Sequence, residues 1–345
     1  MRGLLITLIA TVSMWGQAAG GHASAPEADP WFSTFSMIAF DPATSELGVG
    51  VQSRAFAAGA AVPYAKPGVG AVATQASANR QYGPKAIALL EQGLSPADVV
   101  KKITDEDPGR DTRQVAVIDT KGRSAVYTGK RVIDRNHDPA DPVHFGGYAG
   151  HVTGRSFSVQ GNTLASEAVV KAMADAYERG SGSIAERLMD ALDAGQSKGG
   201  DTRGMQSAGI LVVRPLPANS ESTVERIVDI RVDDTTNPFD ELRRLLNITL
   251  GVPAKLTARA TELARDGKFA DAIAEQKKAI AITPNNEQLH YALAQRYAQA
   301  GEYANALRPL EEAIRRQPRL GKQAGTDPLF AKMRELAEFK RLVTP

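Results

Sequence analysis

The sequence predicts an α+β domain, built from antiparallel sheets covered by paired helices, followed by an all-α module. Three observations lead there. Between Thr34 and Leu250, strand and helix signals run as strands, two helices, strands, two helices, strands. That order lacks the strict alternation that builds a parallel doubly wound sheet. From Pro253 to the end every segment reads as helix, and this helical part repeats at a fixed spacing.

The first hairpin is the clearest element. Thr34 to Phe40 is strand-like, Asp41-Pro42-Ala43-Thr44-Ser45-Glu46 is turn chemistry with Pro presetting φ, and Leu47 to Ser53 returns as a strand. Gly68 to Gln75 reads as a third strand whose small residues suit a close backbone approach. A helix is expected near Gly83 to Gln92. Ser95 then suits an N-cap, with Pro96 at the first helical position of a helix through Ile103. Arg113 to Ile118 and Ser124 to Thr128 make a hairpin around Lys121-Gly122, and Ser156 to Gln160 is a further strand. Ser166 to Glu178 and Ile184 to Ala194 have helical periodicity. Gly209 to Val213 and Arg226 to Val232 are strands, and Asp240 to Asn247 is a last helix. Asn136 to Gly154, rich in Gly, Asp and Pro, reads as exposed loop. No phosphate-loop or dinucleotide fingerprint is present.

In the helical part, Gly267 matches Gly301, Ala272 matches Ala306, Ala279 matches Ala313 and Pro284 matches Pro318, each pair 34 residues apart. This is the period of tetratricopeptide (TPR) repeats, with small residues where paired helices touch and Pro after the second helix. Leu293, Ala294, Tyr297 and Tyr303 occupy expected apolar positions, and Asp327 to Leu342 reads as one closing helix. Such stacks bind peptide or protein segments, so a protein partner is expected here. The alternative is a module that only caps the first domain or mediates self-association.

Composition narrows the function classes. Of 345 residues, 43% are hydrophobic and 23% charged, a globular balance. The net charge of +2, with no basic run, argues against nucleic acid as a partner. Cysteine is absent, which removes disulfides and thiol catalysis. The first residues read as a targeting segment: Arg2, an apolar stretch from Leu4 to Trp15, then small residues. The apolar run is too short to span a bilayer. Cleavage after Ala23 or Ala25 suits it, and an uncleaved anchor is the alternative. The expected organisation is a signal peptide at 1–25, a lead-in at 26–33, a first domain at 34–250 and a TPR-type module at 253–345. The mature protein is expected to be periplasmic or secreted, with no membrane span.

A series of short stretches carries a family resemblance. They include Thr34-Phe35-Ser36, Gly48-Val49-Gly50-Val51-Gln52-Ser53-Arg54, Val62-Pro63-Tyr64-Ala65-Lys66 and Gly68 to Gln75. Further on come Asp107-Pro108-Gly109-Arg110, Arg113-Gln114-Val115, Val159-Gln160-Gly161-Asn162 and Gly199-Gly200-Asp201-Thr202-Arg203-Gly204. In this order the region from Thr34 to Leu246 resembles the family called domain of unknown function 1028, which is grouped with the N-terminal-nucleophile (Ntn) hydrolases. The resemblance implies a four-layer αββα sandwich and, from that fold, a candidate mechanism.

Ntn hydrolases attack an amide carbonyl with the hydroxyl or thiol of the first residue of the mature chain, whose own α-amine takes the proton. That amine ordinarily titrates at about 7.7 to 8.0, so part of it is neutral at neutral pH. The resemblance makes Thr34 the candidate nucleophile. Lys66 is a further catalytic candidate by spacing alone, since it follows the first hairpin about where the proteasome-like branch of these enzymes has a lysine, and Asn162 and Asp201 are candidates because they flank glycine-rich strand ends. Gln75 and Ser207 are candidates for substrate binding. Thr34 would also be favoured at a strand start simply because it is β-branched. The leader sites lie before Thr34, so a second cut between Ser33 and Thr34 is required. The substrate is then an unidentified small amide or peptide.

His137, His144 and His151 recur every seven residues among Asp134, Asp138 and Asp141, types that can ligate metal. The loop-like segment gives the spacing no geometric meaning, so no metal and no cofactor is expected. No Gly-x-Ser-x-Gly elbow marks a serine triad. A non-catalytic envelope binding or scaffold protein, using the same fold and repeats, is the alternative function.

Overall fold

The computed structural model describes residues 34–137, 147–217 and 225–344, with backbone only at 135–137. The expected leader (1–25) and lead-in (26–33) lie outside the described residues. So do His144, Asp138 and Asp141, together with the side chain of His137.

β1 (Thr34–Asp41) and β2 (Glu46–Ser53) form the opening hairpin, followed by a one-turn α1 (Ala58–Ala61), β3 (Pro63–Lys66) and β4 (Gly70–Ala76). Next come α2 (Tyr82–Glu91), α3 (Pro96–Asp105), β5 (Arg113–Asp119) and β6 (Ser124–Thr128). α4 (Lys130–His137), β7 (Tyr148–Gly154) and β8 (Phe157–Leu164) lead into α5 (Ala168–Arg179) and α6 (Ile184–Ser197). β9 (Ser207–Val213), β10 (Arg226–Val232) and α7 (Pro238–Thr249) complete the α/β region. The helical region contains α8 (Val252–Arg265), α9 (Phe269–Ile282), α10 (Glu287–Gln299), α11 (Tyr303–Arg316), α12 (Arg319–Thr326) and α13 (Ala337–Val343).

The strands make two antiparallel sheets, one in the order β10-β9-β2-β1-β8-β7 and one in the order β3-β4-β5-β6. Side-chain alternation assigns their faces. On β1, Phe35, Met37 and Ala39 pack with Val169, Met173, Leu188 and Leu192 of α5 and α6. Ile38 and Phe40 point the other way, into a core shared with Ala71, Ala73, Ala116 and Ile118 of the smaller sheet. The outer face of that sheet, Val72, Val115 and Val117, packs on Ile87 of α2 and on Val99 and Ile103 of α3. Helices therefore cover the outer faces while the two sheets face each other.

The helix caps follow the sequence. Ser95 accepts a hydrogen bond from the Asp98 N–H with Pro96 at the first helical position, and Ser183 with Glu186 forms a capping box on α6. In the helical region, α8 and α9 form one hairpin and α10 and α11 a second. Ala272, Ala279, Ala306 and Ala313 are all fully buried, and Pro284 and Pro318 each follow two residues after a helix end.

Three expectations are corrected. The segment Asn136 to Gly154 is not all loop: Lys130–His137 is helical and Tyr148–Gly154 is an edge strand, with exposed His151 on it. The Gly and Asp content hid a strand that pairs along β8. The single closing helix is instead a 3-10 turn at Pro328–Met333 followed by α13. Asp327 caps the turn through the Leu329 N–H, and the chain bends so that Phe330, Met333 and Phe339 all reach one core. The third strand starts at Gly70, because Gly68 sits in a turn at φ 71°. The four-residue β3 escaped periodicity altogether. It lies at a sheet edge, where Pro63 costs no ladder bond.

Candidate active site

The layer between the sheets changes character along its length. At one end it is apolar, as described. At the other, the same inward-facing positions carry Thr34, Ser36, Ser53, Gln75, Gln114, Gln160 and Asn162, all buried. Register explains the convergence: Thr34 lies opposite Ser53 on β2 and Asn162 on β8, and Gln75 lies opposite Gln114 on the other sheet.

Buried amides and hydroxyls require partners, and here they partner one another. Ser158 Oγ donates to Gln160 Oε1 at 3.0 Å, and Gln160 Nε2 donates to Ser36 Oγ at 2.6 Å. Ser36 passes a hydrogen bond to Gln75 Oε1, and Gln75 Nε2 donates to Gln114 Oε1 at 2.8 Å. Asn162 Nδ2 donates to the same Gln114 oxygen at 3.0 Å. Gln114 Nε2 in turn donates to the Gly161 carbonyl and to Thr128 Oγ1, both at 3.0 Å. Linked hydrogen bonds of this kind fix a single arrangement.

Thr34 stands at the end of this network. Its Oγ1 is 3.0 Å from Ser53 Oγ, and its carbonyl accepts from Gln75 Nε2 at 3.3 Å and Asn162 Nδ2 at 3.4 Å. A pocket of about 120 Å³ opens beside it, lined also by Ser53, Gln75, Ala58, Val62 and Arg80. The backbone around it is unusual. Ala57, Ala76 and Thr163 have φ of 54°, 61° and 54°, a left-handed conformation that non-glycine residues avoid. Ala76 and Thr163 directly follow Gln75 and Asn162 at the ends of β4 and β8, and Ala57 lies four residues after Ser53. The other two such residues, Ser45 and Ser156, sit in hairpin turns at the far end of the sheet. Strained backbone of this kind collects at functional sites.

The loop after β2 is clamped from below. The buried Asp201 accepts from the Arg54 N–H at 3.1 Å and from the Arg203 N–H at 2.9 Å, and it pairs with the Arg203 guanidinium. Ser207 Oγ donates to the Ala55 carbonyl at 2.6 Å and accepts from the Ala58 N–H at 3.0 Å. α1 lies close to β9, since a Cβ on Gly209 would stand 2.8 Å from the Cα of Gly59. On the opposite side, Asp107 anchors the loop carrying Arg80. Burial pushes this carboxyl upward, but hydrogen bonds from Asn79, Tyr82, the Gly109 N–H and Arg113 outweigh it and hold the pKa down to about 2. Arg113 also donates to the Ser77 carbonyl in that loop.

The six residues singled out from sequence therefore separate. Thr34, Gln75 and Asn162 come together in one network. Asp201 and Ser207 are one step removed, holding the loop that follows Ser53. Lys66 is elsewhere: it lies opposite Gly70, five residues along β4 from Gln75, or about 16 Å at strand rise. Its side chain is 50% exposed and pairs with Glu91 at 2.5 Å, and the Glu91 hydrogen bond raises its pKa. It contributes nothing to the pocket. Ser53, Gln114, Arg80 and Phe56, which also lines the pocket, were not singled out. For Ser53 and Gln114 the signal existed, a polar residue ending an inward-facing series, Val49-Val51-Ser53 and Ile118-Ala116-Gln114. Arg80 and Phe56 sit in loops with no periodicity to mark them. Among the described residues no group of three His, Cys, Asp or Glu side chains is arranged to hold a metal ion.

Residues 34–242 match the family of unknown function DUF1028. The chain belongs to this family. The crystal structure of the DUF1028 protein SPO2555 from Silicibacter pomeroyi is similar, with 29% sequence identity and a TM-score of 0.52. The similarity covers 62% of this chain and 85% of that one. No curated protein matches the chain. The DUF1028 region thus contains every residue of the network around Thr34, from β1 through Ser207.

Proposed function

We propose that the DUF1028 region is a four-layer αββα sandwich of the Ntn type and works as an extracytoplasmic amide hydrolase with Thr34 as its nucleophile. One observation carries this reading: Thr34 begins β1 beside a pocket, with its hydroxyl 3.0 Å from that of Ser53. Export through the segment at 1–25, followed by removal of 26–33, makes the Thr34 nitrogen an α-amine. That amine takes the hydroxyl proton as Oγ1 attacks the amide carbonyl. The tetrahedral intermediate collapses to an ester on Thr34, and the same amine delivers the proton to the leaving nitrogen. Water, deprotonated by the amine, then hydrolyses the ester. Gln75 and Asn162 hold the Thr34 carbonyl, which fixes the direction of the attacking group, and Ser53 orients the hydroxyl. Asp201 and Ser207 act at a distance by holding the loop from Arg54 to Ala58.

The paired helices α8–α9 and α10–α11, with the 34-residue spacing, support a TPR module that recruits a protein partner. A second reading has its own observation. Thr34 is only 1% exposed and is held by several hydrogen bonds, which also suits a structural residue in a non-catalytic envelope binding protein. Hydrolysis of a panel of small amide substrates separates the two. Under the hydrolase reading Thr34→Ala abolishes turnover and Thr34→Ser retains part of it. Equal behaviour of wild type and Thr34→Ala supports the binder.

A further inference from the structure

The pocket beside Thr34 has a lining of two kinds. Thr34, Ser53 and Gln75 bring polar atoms, whereas Ala58, Ala61 and Val62 bring small apolar groups. Its size indicates what its interior suits. A cavity of about 150 Å³ accommodates benzene, so a pocket of about 120 Å³ suits a branched aliphatic group or a small ring. Phe56, also in its lining, is 68% exposed, an unusual placement for a large aromatic and one that adds apolar surface to the site.

Charge is equally uneven. Among the described lining residues only Arg80 has a charged side chain. It is exposed and makes no ion pair with any described residue. Asp107, the carboxylate bound by the preceding Asn79, is already engaged by four donors. A guanidinium is matched to a carboxylate, which it can grip through two parallel hydrogen bonds.

We infer that this pocket takes a small anionic aliphatic compound, its branched chain of about four to six non-hydrogen atoms among the alanines and its carboxylate at Arg80. This rests on reading the Thr34 pocket as the substrate site and names the substrate class: a short-chain aliphatic amide that carries a negative charge near the scissile bond. Large aromatic acyl groups suit the space less well, and cationic amides meet Arg80.

The test is calorimetric titration of the full chain with isovalerate, isovaleramide and 3-phenylpropionate. Isovalerate binds saturably, at least about tenfold tighter than isovaleramide, as one charged hydrogen bond requires. 3-Phenylpropionate binds more weakly than isovalerate. Arg80→Ala, an exposed substitution that leaves folding unaffected, brings isovalerate down to the level of isovaleramide. Ala61→Met fills part of the pocket and weakens both. Equal affinity for isovalerate and isovaleramide, no saturable binding of isovalerate, or indifference to Ala61→Met overturns the inference. Hydrolysis is a separate readout. Isovalerate selectivity without any turnover removes only the role of Thr34, and Thr34-dependent turnover without selectivity removes only the substrate class.

Discussion

Ser36 Oγ donates to Gln75 Oε1 at 2.6 Å, and this one bond crosses from the six-stranded sheet to the four-stranded sheet. The same hydroxyl accepts from Gln160 Nε2. Ser36→Ala therefore strips a partner from two buried amide groups at once. Each orphaned group costs about 1–3 kcal/mol, so the variant should lose about 3 kcal/mol in denaturant unfolding. A loss below about 0.5 kcal/mol would mean the polar layer rearranges freely and does not fix the geometry around Thr34.

Asp107 gives a pH-dependent prediction. Its folded pKa, about 2, lies below the ordinary carboxylate value, so its contribution is present above about pH 4 and fades as pH falls through about 2. The shift corresponds to about 2 kcal/mol. Asp107→Asn should reduce stability by about that much at pH 7. The gap to wild type should close on acidification towards pH 2. Because Asp107 anchors the loop bearing Arg80, the same variant should weaken isovalerate binding at neutral pH.

Asp201→Ala should be more severe. It leaves the Arg203 guanidinium without its buried carboxylate and the Arg54 N–H without its acceptor. Removing one member of a buried pair costs about 3–5 kcal/mol. Thermal unfolding of the variant measures the loss, and hydrogen exchange at residues 54–58 should rise selectively.

The elements most legible in the sequence were those whose local chemistry agrees with their final environment. Asp41-Pro42 and Ser45 announce the first turn, Ser95-Pro96 announces α3, and the repeated alanines announce the helix contacts. What escaped depends on partners distant in the chain. Tyr148 to Gly154 becomes a strand because β8 offers it an edge, and nothing in its own Gly-rich composition says so. Thr34, Gln75 and Asn162 were legible as polar residues at strand ends, but their meeting is set by register across two sheets. Lys66 was assigned by spacing alone, and spacing does not say which end of a strand a residue will occupy.

The two glycines at the 34-residue spacing make a local test. Gly267 and Gly301 have φ of 75° and 77°, and a Cβ at either position meets nothing within 4 Å. Backbone strain is then the whole cost of adding a methyl group. Gly301→Ala should destabilise by about 1 kcal/mol, as should Gly267→Ala. Chemical denaturation of each variant checks the equivalence, and a large difference between them would deny that the two turns are repeats of one unit.

The hydrolase account depends on the nitrogen of Thr34 being an amine in the working protein. Intact mass and N-terminal sequencing of the exported, active form test this directly. The account predicts a mature chain beginning at Thr34. An active preparation whose chain still begins upstream, with Ser33 joined to Thr34, would contradict it.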